Sequence, residues 1–596
     1  VELEARLQQL EHAVQQYVPR ADAAEQTNST INHANGTTAT CPPLGDTLQA
    51  TSQIQPHIVN GATHWSTVLD DIRDIRLAIG EDDGGLGQED LETEPLAKEA
   101  VGIIFGTEAP WTIERVLASC MPPRKDVDRL VSAYFRSQTI AAPFIHSTSF
   151  QRQYLSFWTN PTITSPLWLS MLFSICHVSS NVISGRRENQ GIDHRFSVAA
   201  ARCLAIGEYF RPKQFAVESL ALYAHSQCLT TLDLPSDLAP IFGILGRTAT
   251  MMGYHLDPTV LGLSPYEAEM RRRLWSQVMQ LDILVSFHFG LPGAIQSTMS
   301  NAEPPRNLHD SDFDEDTLEL PPSRPDSEPT GILFINIKHR FIMGIFARIL
   351  RHALGLRTML NPLEDVDALD AEVKQVFAAV PDSAHPRPMS ECVFDPPSVI
   401  ITRLCILFIY CKCLCVLHRP HVMQLRRQSI AACYDATSLM LSMFADAYAE
   451  FAPKGQMESE GWFITSLTWN DFLLGVVTHC LAAMVGMQTT FDIVNASNTV
   501  KLLTKAREIC AKELALRGKQ TSRVHVLITT TLQRLEGAES EVASSLRASS
   551  LSDMGLPNGA HAGLDLNLHV PIVMDDPLWD DYLEQYLDME GNVTKI

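Results

Sequence analysis

An all-α fold is predicted for this 596-residue chain by three observations. Apolar residues recur at helical spacing from about Phe105 to Leu535. The period-2 alternation of half-buried strands is nearly absent over the same stretch. Hydrophobic residues make up 45% and charged residues 19%, a globular balance in a chain long enough to bury a large core without disulfide or metal staples. The predicted architecture is a large multi-helix domain at 101–535, preceded by a short N-terminal coiled coil (1–18) and a polar, acidic linker (19–100). A largely disordered acidic tail (536–596) follows.

Each element has a local reason. Leu3, Leu7, Leu10, Val14 and Tyr17 alternate spacings of four and three, which lays one apolar stripe along a helix, as a paired coil and hence a homodimer needs. Just over two heptads also suit an ordinary amphipathic helix, and Pro19 ends either form. Residues 20–62 are rich in Thr, Asn, Ala, Gly and Pro and read as a linker. A short helix follows from about Ser66 to Ile79, then a solvated charge run at 81–100. In the large domain, periodicity predicts helices at 126–138, 166–182, 194–208, 213–231, 237–253, 265–289, 332–356, 366–379, 397–417, 428–447, 470–489 and 499–516. An acidic, Pro-rich loop is predicted at 303–330, and no 20–50-residue repeat is present.

Charge and motifs exclude several function classes. A net charge of −23 is unfavourable for a free-standing nucleic-acid clamp or for docking on an anionic membrane. The thirteen cysteines are scattered and read as free thiols of a reducing compartment. Cys405, Cys411, Cys413 and Cys415 lack zinc spacing and read as small hydrophobes on a buried helix, and His225, His255 and His288 read as hydrogen-bonded core histidines. The richest apolar run, Ile400 to Leu417, carries Arg403 and Lys412, and no transmembrane span is predicted. Phosphate-loop, dinucleotide, nucleophile-elbow and zinc-protease motifs do not occur, and no catalytic residue, cofactor or metal site is predicted. Asp70, Asp71 and Asp74 match the aspartate pattern of magnesium-dependent isoprenoid synthases. That leaves an enzyme as an alternative, but they sit on a short charged helix with Arg73 among them.

The tail carries a more specific pattern. Leu578, Trp579, Tyr582, Leu583, Tyr586 and Leu587 form one aromatic-aliphatic stripe on a helix that begins near Pro577, surrounded by acids. Acids keep such a segment solvated, and the stripe folds into a partner's groove, the physical signature of an acidic activation segment. The alternative is a terminal helix docked on the chain's own core.

Two runs in the helical domain carry a resemblance. The first runs from Arg247 to Pro258, then through Glu269-Met270-Arg271-Arg272-Arg273-Leu274-Trp275 and Leu281-Asp282 to the turn Gly290-Leu291-Pro292-Gly293-Ala294-Ile295. The second is Leu417-His418-Arg419-Pro420, with Ser429 and Cys433 downstream. Together they resemble the regulatory middle homology region of fungal zinc-binuclear-cluster transcription factors over about residues 101–535. Physically, Trp275, Val278, Asp282 and Val285 share one helix face, and a buried carboxylate there needs a partner. The expected partner of Asp282 is Arg247 or one of Arg271, Arg272 and Arg273, unless that triplet is a solvated basic face.

The resemblance implies a nuclear transcription regulator, an activator by its tail, whose helical domain answers to a small-molecule effector or a partner. The tail would engage the transcriptional machinery. The family's six-cysteine zinc cluster is not in this sequence, so zinc and promoter DNA are expected only through a cluster upstream of Val1. A DNA-free co-regulator or scaffold of the same fold is the alternative.

Overall fold

The computed structural model describes Thr63, Trp65, Ala100 and residues 102–535, apart from 107–110, 138–140, 184–193, 232–233, 296–299, 356–364, 490–494, 518–520 and 522. The heptad residues Leu3 to Tyr17, the aspartates 70, 71 and 74, and the tail stripe Leu578 to Leu587 lie outside the described residues. Among the described residues the regular elements are helices, and no strand occurs.

Fifteen helices organise two apolar cores. The first core is built by α1 (Ile113–Cys120), α2 (Arg124–Arg136), α3 (Ser147–Thr159), α4 (Pro166–Ile183), α5 (Arg195–Gly207), α6 (Ala216–Thr230) and α7 (Leu238–Met251). Helix α4 is its axis, packing on α2, α5 and α6. The second core is built by α9 (Gly331–Phe341), α10 (Ala347–Ala353), α11 (Val366–Ala378), α12 (Pro397–Val422), α13 (Arg427–Glu450), α14 (Ser466–Thr489) and α15 (Ala496–Arg517), with a further helical stretch at 523–535. Helix α8 (Pro265–Phe289) serves both. Leu274, Trp275, Val278 and Val285 enter the first core, Ile283 and Phe287 the second.

The boundaries follow local chemistry. In α8, Ser264 and Glu267 form a reciprocal capping box, Pro265 takes the first position, and Gly290 closes the helix at φ 65°. The 265–289 prediction coincides with it. Helix α12 runs past the predicted 417 to Val422, because Pro420 lies inside its last turn. Two of these helices and the stretch at 523–535 escaped the reading. Helix α1 is a short segment, and α3 carries Phe150, Tyr154 and Phe157 at helical spacing among Ser, Thr and Gln residues that dilute the signal. Helices α12 and α14 are long and apolar enough to cross a membrane, yet their apolar windows are 78% and 89% buried within the helical body, as core helices are.

Candidate functional site

The arginine run on α8 faces inward and ties three segments to the helix. Arg271 Nη1 donates to the Met252 carbonyl at 2.8 Å and its guanidinium stacks 4.6 Å from the Tyr254 ring. Tyr254 in turn donates to Glu218 on α6 at 2.9 Å. Arg272 donates to both carboxylate oxygens of Asp257 at 3.1 Å. Asp257 also caps the turn Pro258–Leu261 through Thr259. Although burial raises its carboxyl, the Thr259 and Arg272 donors hold it down at about 2.

Arg273 is the most buried of the three, its side chain 1% exposed. It meets Glu269 one turn back, Asp310 at 2.6 Å, and the Leu308 and Pro143 carbonyls, and lies 4.9 Å from the Phe313 ring. Burial raises the Glu269 carboxyl in spite of Arg273. Burial also works to raise Asp310, but Arg273 and the Ser147 N–H keep it below the usual range. A solvated basic face is therefore excluded for Arg272 and Arg273.

The acidic segment 303–330 is consequently an ordered strap. Arg273 holds it from below, and the Arg306 N–H donates to Glu269 at 3.1 Å. Asn307 is a node: its Nδ2 donates to the carbonyls of Arg324, Pro325 and Glu328, and its Oδ1 accepts from Thr330. Arg324 grips Asp312 through two nitrogens. Leu308, Phe313 and Leu320 form a small separate core against Tyr266 and Met270 of α8. Asp310 and Arg306 meet α8 across 37 residues, and Asn307 meets its partners across 17 to 23, so no periodic signal named them in the sequence. The Glu269–Arg273 pair, at i,i+4, had the one spacing that could have been read.

Asp282 corrects an expectation. No arginine reaches it. Its carboxylate accepts the N–H groups of Ala294 and Ile295 at 3.2 and 2.9 Å, tying the turn after α8 back onto the helix. The signal lay in the turn itself. Gly293 sits so close that an added Cβ would fall 2.7 Å from Ile283 Cδ1 and 3.2 Å from Asp282 Oδ2. Arg247 is exposed on α7, as is Pro292 in the turn, while Trp275 is buried and donates to Ser300 at 2.9 Å. Asp282→Ala leaves two inward N–H groups without their acceptor, and a loss of about 1–3 kcal/mol in denaturant unfolding is expected. Burial pushes the Asp282 carboxyl up to about 6 from its ordinary 3.8, against those two N–H groups. The folded state thus holds this proton to higher pH than the unfolded chain, and stability falls as pH rises from about 4 to 6. Wild type should gain on Asp282→Asn as pH is lowered across that window; the opposite trend would refute the assignment.

The second motif forms a buried relay. His418 Nδ1 lies 3.1 Å from Ser429 Oγ at the start of α13, and Nε2 lies 3.0 Å from Asp370 Oδ1 on α11. The order is that of an acyl-transfer triad, but Ser429 is 0% exposed, so the relay joins three helices instead of meeting a substrate. Arg419 is buried and Pro420 exposed. Cys411, Cys413 and Cys415 are buried and Cys405 half-buried. His288 is buried, and His225 and His255 are half-buried. Among the described residues no His, Cys, Asp and Glu side chains cluster as a metal site.

Comparison with known proteins places this architecture. Residues 131–356, which span α8, its arginine run and the strap, match the fungal specific transcription factor domain. The part of the helical body that carries the arginine run and the strap is thus similar to a fungal transcription-factor domain. More narrowly, the chain is similar to fungal zinc-cluster regulators. The Zn(2)-C6 fungal-type transcription factor mpsB of Macrophomina phaseolina is 32% identical over 69% of this chain and 57% of its own length. The Zn(2)-C6 fungal-type transcription factor pigI of Monascus ruber is 31% identical over 70% of this chain and 53% of its own. The equisetin cluster transcription factor eqxF of Fusarium heterosporum is 29% identical over 70% and 62%. The chain spans between about half and two-thirds of these relatives' lengths.

Proposed function

We propose that this protein is a nuclear transcription regulator of the fungal zinc-cluster type and not an enzyme. The observation that carries the reading is the match of residues 131–356 to the transcription factor domain, coinciding with the helix whose arginines hold the strap. In this reading the helical body is the regulatory module, answering to a small-molecule effector or a partner. Leu3, Leu7, Leu10, Val14 and Tyr17 pair two protomers and so set the spacing of two DNA readers. Zinc and direct promoter contact require a six-cysteine cluster that these residues do not supply, and no cofactor is assigned to this chain itself. The acidic tail recruits the transcriptional machinery through its stripe.

The tail test is direct. Residues 570–596 fused to a foreign DNA-binding domain should activate a reporter, and replacing Trp579, Tyr582 and Tyr586 by Ala should abolish activation. A silent wild-type fusion refutes the activator role. Full-length reporter assays with and without the upstream region separate a DNA-binding regulator from a co-regulator.

A further inference from the structure

Half-buried Lys338 on α9 is set apart from the buried cations of the body. Arg272, Arg273, Arg403 and Lys412 each meet a carboxylate. The Lys338 side chain forms no hydrogen bond or ion pair among the described residues; its nearest aromatic contact is Phe334, one turn back, with the ammonium 4.5 Å from the ring centroid. Its helix neighbours Ile337, Phe341 and Ile342 are buried in the second core. Across from it stands Cys405 of α12, whose thiol burial pushes up to about 11, so at neutral pH it is uncharged and supplies no counter-charge. Burial in turn holds the Lys338 amine below the ordinary lysine range.

Phe334, Lys338 and Cys405 are all half-buried, so the seam between α9 and α12 is not sealed. A second feature marks the same place. Helix α9 passes directly into a π-helical turn, Ile342–Phe346, which widens the helix and recurs at functional sites. Met343 within that turn packs against both apolar cores. An occupant here therefore lies where the two halves of the body meet.

We propose that the α9–α12 seam binds a small apolar molecule bearing one carboxylate, with Lys338 as its counter-ion and Phe334 and Cys405 as apolar wall. An ammonium withdrawn from water without a partner is costly, and a bound carboxylate removes that cost with a charge-assisted hydrogen bond. One ammonium in apolar surroundings suits a monoanion on an apolar body. A phosphate or a polyanion requires several donors, and among the described residues no second cation acts on Lys338. What binding does to transcription rests on the regulatory reading above; binding itself does not.

Decanoate below its micellar concentration is the probe, with 1-decanol as its uncharged analogue and the full chain as the protein. Decanoate should raise the Tm of wild type by about 3 °C or more at saturation. Decanol, and decanoate with Lys338→Met, should bind roughly tenfold or more weakly, as expected for loss of a charged hydrogen bond. Decanoate that fails to bind wild type, or binds Lys338→Met equally well, overturns the proposal. Peptide-resolved acetylation of wild type keeps the question decidable if the variant fails to fold. Lys338 should be modified in the free protein and protected by decanoate. A Lys338 that is unreactive without added acid is already paired or sealed, which also overturns it. A reporter that ignores the acid while these binding results hold would count against the regulatory reading alone.

Discussion

Replacing Arg273 by Met should loosen the strap and cost the folded state about 3–5 kcal/mol, the range for breaking a buried ion pair by removing one partner. Glu269, fully buried, would lose its cation, and so would Asp310. The Leu308 and Pro143 carbonyls would lose their donor. Denaturant unfolding would report the loss. Hydrogen exchange would report its place, since protection should fall first at 303–330 while the second core, built on α12 to α14, stays protected. Arg273→Lys should recover little, because one ammonium does not reproduce a planar fork reaching two carboxylates and two carbonyls. Unchanged exchange across 303–330 in Arg273→Met would remove this arginine as the anchor.

Replacing Asp471 by Ala should destabilise the second core by a similar amount, about 3–5 kcal/mol. Asp471 on α14 pairs with Lys412 on α12, the two side chains 15% and 5% exposed. The Lys412 ammonium also lies 5.0 Å from the Phe287 ring, at the end of α8, and 6.0 Å from that of Phe346. Without the carboxylate it would keep only aromatic faces, which return a fraction of the loss. The double change Lys412→Met with Asp471→Leu should restore most of the stability, since apolar pairs of similar volume replace buried ion pairs at little cost. A double variant no more stable than Asp471→Ala would show that packing, not charge, governs this site.

These two ion pairs mark where the sequence stopped being legible. Lys412 was visible as a charge inside an apolar run, and Arg273 as one of a triplet. Neither position names its partner, because Asp471 and Asp310 lie 59 and 37 residues away and no spacing rule spans such a gap. Asp282 shows the same limit in reverse. Its buried face was correctly read from helical periodicity, and a partner was correctly required, but the turn's own N–H groups took the place expected of an arginine. Nearby backbone amides compete well for a carboxylate because they need no side-chain ordering.

What the sequence determined by itself is the all-α class, most helix positions, the turn that opens at Gly290, and the resemblance carried by the arginine motif. Periodicity and caps act within a few residues, and such local signals survive in a linear reading. Only the tertiary structure decided that α8 spans two cores, that 303–330 is an ordered strap, that His418 links Ser429 to Asp370, and that half-buried Lys338 lacks the carboxylate that Arg272, Arg273, Arg403 and Lys412 each meet. Each depends on which distant groups share the low-dielectric interior, where an unmet charge is costly enough to select its partner.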